Sequence, residues 1–142
     1  MSTMYRRISP EVAGELAEGT QLDTTVHPPR VTRLHHRFEG WLGDDIVACF
    51  PCFLVTERLA KLLESSRLTG FQLDDVEISE SPEFKEMYPD RQLPNFRWLR
   101  VTAVQPKQDD FRLTHDHRLE VSDTALAVLR SLQLDHADLE KA

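Results

Sequence analysis

Residues Ile46 to Ser79 read IVACFPCFLVTERLAKLLESSRLTGFQLDDVEIS: an apolar run, a helix, and a second run that turns acidic. Ile46 to Val55 holds eight strongly apolar or sulfur-bearing residues around Ala48 and Pro51. The run is too short to span a membrane and suits a buried strand. Pro51 cannot donate to a strand ladder and pushes Phe50 toward extended backbone, so the reading predicts one strand, bulged at Pro51 or lying at a sheet edge. Thr56 is placed to cap a helix over 57–66, in which Leu59, Leu62 and Leu63 form one apolar stripe. Gly70 is placed to help the chain leave that helix. Phe71 and Leu73 alternate as in a strand, but Val76 and Ile78 fall in the opposite phase. That slip predicts a bulge at Asp74-Asp75 which displays the two carboxylates.

On the N-terminal side, Met4 to Ile8 reads as a short strand. Ser9-Pro10 has the order of a helix opening, with Val12, Ala13 and Leu16 as its stripe before Gly19. Thr20 to Pro29 reads as a linker, Val31 to Phe38 as a strand, and Gly40 to Asp45 as a turn carrying Trp41 and two acids. On the C-terminal side, Ser81-Pro82 opens a second helix that ends near Tyr88-Pro89. Asn95 to Val104 has large residues in both phases, which predicts a strand covered on both faces. Asp110 to Val121 alternates as one long strand or two short ones joined near Asp116. Ser122 caps a last helix whose Ala125, Leu126, Leu129 and Leu132 face inward, and Asp135 to Ala142 reads as a polar tail. Residues 1–142 therefore predict a single α+β domain: a mostly antiparallel sheet of about five strands with three or four short helices.

Composition is that of an ordinary globular domain, with 40% hydrophobic and 29% charged residues. No run of about 18 apolar residues occurs, and MSTMYRRISPEV lacks the apolar centre of a signal peptide, so a cytoplasmic location is expected. Charge is unevenly placed. Asp74, Asp75, Glu77, Glu80, Glu83, Glu86 and Asp90 stand against Lys85 alone, so nearly the whole formal net charge of −7 lies between 74 and 90. Such a face repels phosphate and attracts cationic protein surfaces, which argues against nucleic acid as a ligand. The basic stretch RVTRLHHR at 30–37 is brief and carries no nucleic-acid motif.

Cys49-Phe50-Pro51-Cys52 has the C-x-P-C order of thioredoxin-like enzymes, and Pro94 stands where such an enzyme's cis-proline would be sought. Three residues separate Cys52 from the helix cap at Thr56, which removes the thiol from the helix N-terminus that stabilises a thiolate. In a continuous strand the two cysteines would lie roughly 10 Å apart on opposite faces, at about 3.3 Å per residue. Buried structural thiols are the expectation. His35, His36, His115 and His117, with the cysteines, could compose a metal site only if their strands were neighbours. Neither metal nor cofactor is predicted. Asp44-Asp45, Asp74-Asp75 and Asp109-Asp110 read as loop acids, since spacing gives no sign of the contrasting environments that acid catalysis needs. No nucleophile elbow or dinucleotide fingerprint occurs, and five scattered glycines cannot form a phosphate-cradling loop.

The stretches PEVAGELAEGT (10–20), DTTVHPP (23–29), FEGWLGDD (38–45), FPCFLVTERL (50–59), LTGFQLDDVEIS (68–79), LPNFRWLRVT (93–102) and DHRLEVSDTAL (116–126) span most of the chain. With them the chain resembles a family of small bacterial proteins and, more loosely, the immunity-type proteins of polymorphic toxin systems. The resemblance implies a non-catalytic protein that neutralises a cognate toxin, and it carries over no catalytic residue. Charge and aromatic content nominate Trp41, Asp44, Asp45, Asp74, Asp75, Glu77, Glu80, Glu83, Phe84 and Tyr88 as the partner-binding face. The alternatives are a thiol oxidoreductase acting through Cys49 and Cys52 and a structural or adaptor subunit, with a homo-oligomer possible.

Overall fold

The structure, a computed structural model, describes residues 4–26 and 29–142. In chain order the strands are β1 (Tyr5–Ser9), β2 (Glu11–Val12), β3 (Gly14–Leu16), β4 (Gln21–Asp23), β5 (Arg30–Arg33), β6 (His35–Phe38), β7 (Ile46–Cys49), β8 (Cys52–Thr56), β9 (Phe71–Asp74), β10 (Glu77–Glu80), β11 (Phe96–Val101), β12 (Phe111–Leu113), β13 (Leu119–Ser122) and β14 (Asp138–Lys141). The helices are α1 (Glu57–Ser65), α2 (Pro82–Met87) and α3 (Asp123–Arg130). The class is α+β, as expected. The single sheet is not what forms: the strands divide among sheets ordered β12-β13-β1-β14, β10-β6-β3, β2-β7-β8-β11-β9 and β4-β5.

The sheet β2-β7-β8-β11-β9 is a partition between two hydrophobic cores, and strand alternation decides which core each residue enters. Ile46, Val55 and Leu99 face one side, where they meet Leu59 and Leu63 of α1, Ala125 and Leu129 of α3, and Ile8, Phe111 and Val121 of the four-stranded sheet. Val47, Leu54, Phe96 and Trp98 face the other, against Phe38 of β6 and Phe84 of α2. Large residues in both phases of 95–104 are thus explained, as the sequence predicts. All three helices carry the caps expected of them, with the side chains of Thr56, Ser81 and Ser122 accepting from Leu59, Phe84 and Ala125 N–H. Among the described residues no helix is long and apolar enough to cross a membrane.

Several expectations are overturned. Ile46 to Val55 is a tight hairpin rather than one strand: Cys49 pairs with Cys52, and Phe50-Pro51 forms the turn. Proline's missing donor is tolerated there because turn positions owe nothing to the ladder. The slip of phase near Asp74-Asp75 is not a bulge. The chain leaves β9 at Asp74 and re-enters a different sheet at Glu77, where β10 runs parallel to β6, so Val76 and Ile78 serve the second core. The segment after Ser9 is strand, not helix. Glu11 pairs with Val47 and Gly14 with Phe38, and a Cβ on Gly14 would lie 1.9 Å from the Arg37 carbonyl oxygen, so the chain there fits only glycine.

Gly70 has φ +95°, and a Cβ there would lie 2.0 Å from the Phe111 carbonyl oxygen; its role is this close approach rather than a helix stop. Part of the 20–29 linker is strand, β4 pairing with β5, while His27 and Pro28 lie outside the described residues, as do the first three residues of the chain. Val31 to Phe38 breaks at Leu34 into β5 and β6. Asp110 to Val121 is two short strands, and His115 and His117 sit in the turn between β12 and β13 rather than in a strand. The polar tail holds β14, which pairs antiparallel with β1 and seats Leu139 beside Ile8.

Candidate functional site

The ten residues nominated as a partner face do not share one surface. Phe84 is fully buried in the second core, and Asp44 and Asp45 are buried as well. The Asp44 carboxylate accepts the backbone N–H groups of Asp135 and His136 at 2.9 and 2.8 Å, and Asp45 Oδ2 accepts that of Gln133 at 2.9 Å. Thr56 Oγ1 donates to Asp45 Oδ1, and Arg58 embraces the same carboxylate through Nε and Nη2, each at 2.7 Å. Burial alone pushes the Asp45 carboxyl up. The hydrogen bonds from Arg58, Thr56 and Gln133 outweigh it and hold the group below the ordinary carboxylate value. These two acids clamp the segment leading to β14 onto the start of β7, and they are not displayed to a partner.

The acids of 74–77 are exposed but locally paired. Asp74 meets Arg100 at 2.8 Å, Glu77 meets Arg33 at 3.8 Å and Asp75 meets Arg97 at 4.0 Å. They border a cleft of about 530 Å³ floored by Leu34 and Trp98, with the Arg100 guanidinium 4.5 Å from the Trp98 ring. Each acid of this stretch therefore has an arginine beside it, although Arg97 is shared with Glu64 at 3.5 Å. Glu80, Glu83, Glu86 and Asp90, on and beside α2, form no ion pair among the described residues. Of the acids between 74 and 90, those without a local cation therefore lie on one short helix and its flanks.

Trp41 and Tyr88 do meet, in a cleft of about 620 Å³ whose walls include Val12, Leu42 and Arg91 and whose lining reaches Glu11 and His136. Trp41 is held in place by Nε1 donating to the Asp44 carbonyl at 2.9 Å and by edge contact with Phe96 at 5.9 Å. Tyr88, the residue capping the C-terminus of α2, packs on Phe84 at 5.6 Å. Val12 is 75% and Leu42 59% exposed, beside the two aromatics. Val12, Leu42, Arg91 and Glu11 are not among the residues that charge and aromatic content nominate. Leu42, an apolar residue in a turn, is the signal in the sequence, whereas Val12 is hidden by its place in the stripe of a helix that does not form.

The thiols are brought together, contrary to the geometry of a continuous strand, because the hairpin makes Cys49 and Cys52 register partners. Both are free and buried in the second core. Burial pushes each thiol up to about 12, reinforced for Cys49 by the charge of Glu15 and for Cys52 by Cys49. A thiolate is the reacting form, so such thiols are poor nucleophiles near neutral pH. Native protein at neutral pH is accordingly expected to resist a chromogenic disulfide reagent and to release both thiols at once in denaturant. Stoichiometric labelling of the folded form within minutes would contradict this.

The histidines are dispersed. His35 Nδ1 donates to the Glu18 carbonyl at 2.6 Å and its Nε2 lies 2.8 Å from Ser79 Oγ, whereas His117 Nε2 donates to the Pro51 carbonyl at 2.9 Å. His36 is fully buried, and neither ring nitrogen has a hydrogen-bond partner among the described residues. Among the described residues no three His, Cys, Asp or Glu side chains are placed to hold a metal ion. No protein-family model, curated protein or solved structure matches the chain.

Proposed function

We propose that the chain is a cytoplasmic binding protein of the immunity type, which neutralises a cognate toxin by covering a cationic part of its surface. The contact face is the Trp41–Tyr88 cleft together with the acids of α2. One observation carries the reading: exposed apolar side chains and two positioned aromatics line a cleft at the C-terminal end of α2, the helix that carries the locally unpaired Glu83 and Glu86. Aromatic and aliphatic anchors supply contact energy on docking, while Glu83, Glu86 and Asp90 set approach rate and partner choice. The well-satisfied Asp44 and Asp45 leave this surface on a rigid frame, which lowers the ordering cost of binding.

Co-expression tests it. The reading frame beside the chain's own gene is expressed in a host alone, with the wild-type chain, and with the triple variant Glu83→Lys, Glu86→Lys, Asp90→Lys. Growth arrest by the neighbour, rescue by the wild type and loss of rescue with the variant are expected. Equal rescue by the variant, or a neighbour that arrests nothing, overturns the proposal.

A further inference from the structure

Ser79 of β10 and His35 of β6 stand on one face of the sheet β10-β6-β3, because the parallel register sets Glu77 beside His35 and Ser79 is two residues further on. His35 Nε2 lies 2.8 Å from Ser79 Oγ, and Nδ1 lies 2.6 Å from the Glu18 carbonyl oxygen. A carbonyl can only accept, so in the neutral imidazole the proton sits on Nδ1 and Nε2 presents its lone pair. The Ser79 hydroxyl therefore donates to Nε2, which is the polarity of a nucleophile held by its general base. The base is also fixed in place. Thr20 Oγ1 accepts the His35 backbone N–H and donates to the His35 carbonyl, each at 3.0 Å, and Ala17 N–H donates to the same carbonyl at 2.8 Å. Ser79 is half-buried and belongs to the lining of a cleft of about 530 Å³, with Ile78, Lys85 and Leu93. We propose that Ser79 and His35 are a nucleophile and base that hydrolyse small carboxylic esters, with the Glu18 carbonyl orienting the imidazole.

In the first half-reaction Ser79 Oγ bonds to the ester carbonyl carbon while its proton passes to His35 Nε2. The tetrahedral adduct then collapses: the bond to the alcohol oxygen breaks, and the departing alkoxide takes the proton from Nε2. Water, deprotonated by the same nitrogen, cleaves the acyl-serine, which releases the carboxylic acid and restores the Ser79 hydroxyl. The developing oxyanion has a donor at hand. β10 is the edge of its sheet, and Glu77 and Ser81 turn their N–H groups inward, to the Leu34 and Phe38 carbonyls at 3.0 and 2.9 Å. By strand alternation the Glu80 N–H points away from β6, toward the open edge. It directly follows the nucleophile in the chain, the place from which a backbone donor meets the oxyanion of acyl transfer.

The test uses the full chain and p-nitrophenyl acetate at mildly alkaline pH. Release of nitrophenol is followed, the reaction is quenched in acid, and the acetylated residue is located by peptide mass spectrometry. Turnover beyond one equivalent is expected, through an acetyl group on Ser79. Ser79→Ala should abolish that turnover, and His35→Gln should slow acetylation of Ser79 by about a hundredfold or more, the usual contribution of a general base. The exposed Ser65 is the internal reference, since it has no histidine beside it and bonds only the Leu62 carbonyl, at 3.0 Å. Absence of an adduct on Ser79, acetylation there no faster than at Ser65, turnover that survives Ser79→Ala, or equal rates in folded His35→Gln overturns the proposal. Should His35→Gln fail to fold, the contrast between Ser79 and Ser65 in the wild type still decides. Neither residue belongs to the Trp41–Tyr88 face, so this result and the co-expression result can fail independently.

Discussion

Replacing Asp45 by alanine is expected to remove about 3 kcal/mol of stability. The carboxylate is 1% exposed and accepts from the Thr56 hydroxyl, the Gln133 backbone N–H and two nitrogens of Arg58. Truncation strands the Gln133 donor and the Thr56 hydroxyl in a buried place, and it frees the segment that delivers β14 to β1. Arg58 itself is a lesser contributor. Its side chain is 61% exposed, so solvent screens the ion pair, and Arg58→Ala should cost less than about 1 kcal/mol. Urea unfolding near neutral pH checks both, and the Asp45 effect should survive added salt because much of it comes from neutral donors. A loss below about 1 kcal/mol for Asp45→Ala would show that water replaces the missing carboxylate without strain.

A second large effect concerns acid. His36 is sealed in the molecule, neither ring nitrogen is hydrogen-bonded among the described residues, and its ring meets Phe38 edge to face at 4.4 Å. Burial, and then the neighbouring His35, push its pKa down from 6.5 to about 4. Between those values the unfolded chain binds a proton that the folded chain does not. Stability from this group is therefore complete above 6.5 and is lost as pH falls toward about 4, by about 3 kcal/mol in all. Acid titrates other groups too, and the low-lying Asp45 carboxyl adds loss of the same sign. The difference between wild type and His36→Leu isolates the histidine. Unfolding free energies of the two proteins, measured from about pH 7 to about pH 4, should diverge in favour of the variant as pH falls. Parallel curves would mean that a solvent path reaches the ring.

Charge reversal on α2 and truncation of Asp45 are separable experiments because the acids involved do different things. Asp44 and Asp45 looked like turn acids beside an aromatic, in the same pattern as acids that meet a partner. Their fate was decided by backbone N–H groups about ninety positions away, at Gln133, Asp135 and His136. Asp74, Asp75 and Glu77 formed a negative run in the chain, yet three arginines from β5 and β11 come to meet them in space. Charge density along a sequence is not charge density on a surface, since folding interleaves strands from distant segments. The acids of the 74–90 run that remain locally unpaired lie on and beside α2, a short peripheral helix with few neighbouring strands to supply cations.

Local chemistry was legible wherever it was decided within a few residues. The three capped helices follow from Thr56, Ser81 and Ser122, each a hydroxyl three positions before the N–H that it satisfies. The two-faced strand at Phe96–Val101 follows from large residues in both phases, because only a strand between two cores can bury both sets. What the tertiary structure alone decided were the pairings. An apolar run with a proline in the middle is equally a bulged strand or a hairpin until a neighbour is present, and here β11 beside β8 and β2 beside β7 select the hairpin. The phase slip after Asp74, the strands after Ser9 and the C-terminal strand beside β1 depend likewise on partners far along the chain. A strand ladder is completed by another segment, whereas a helix turn is completed by itself.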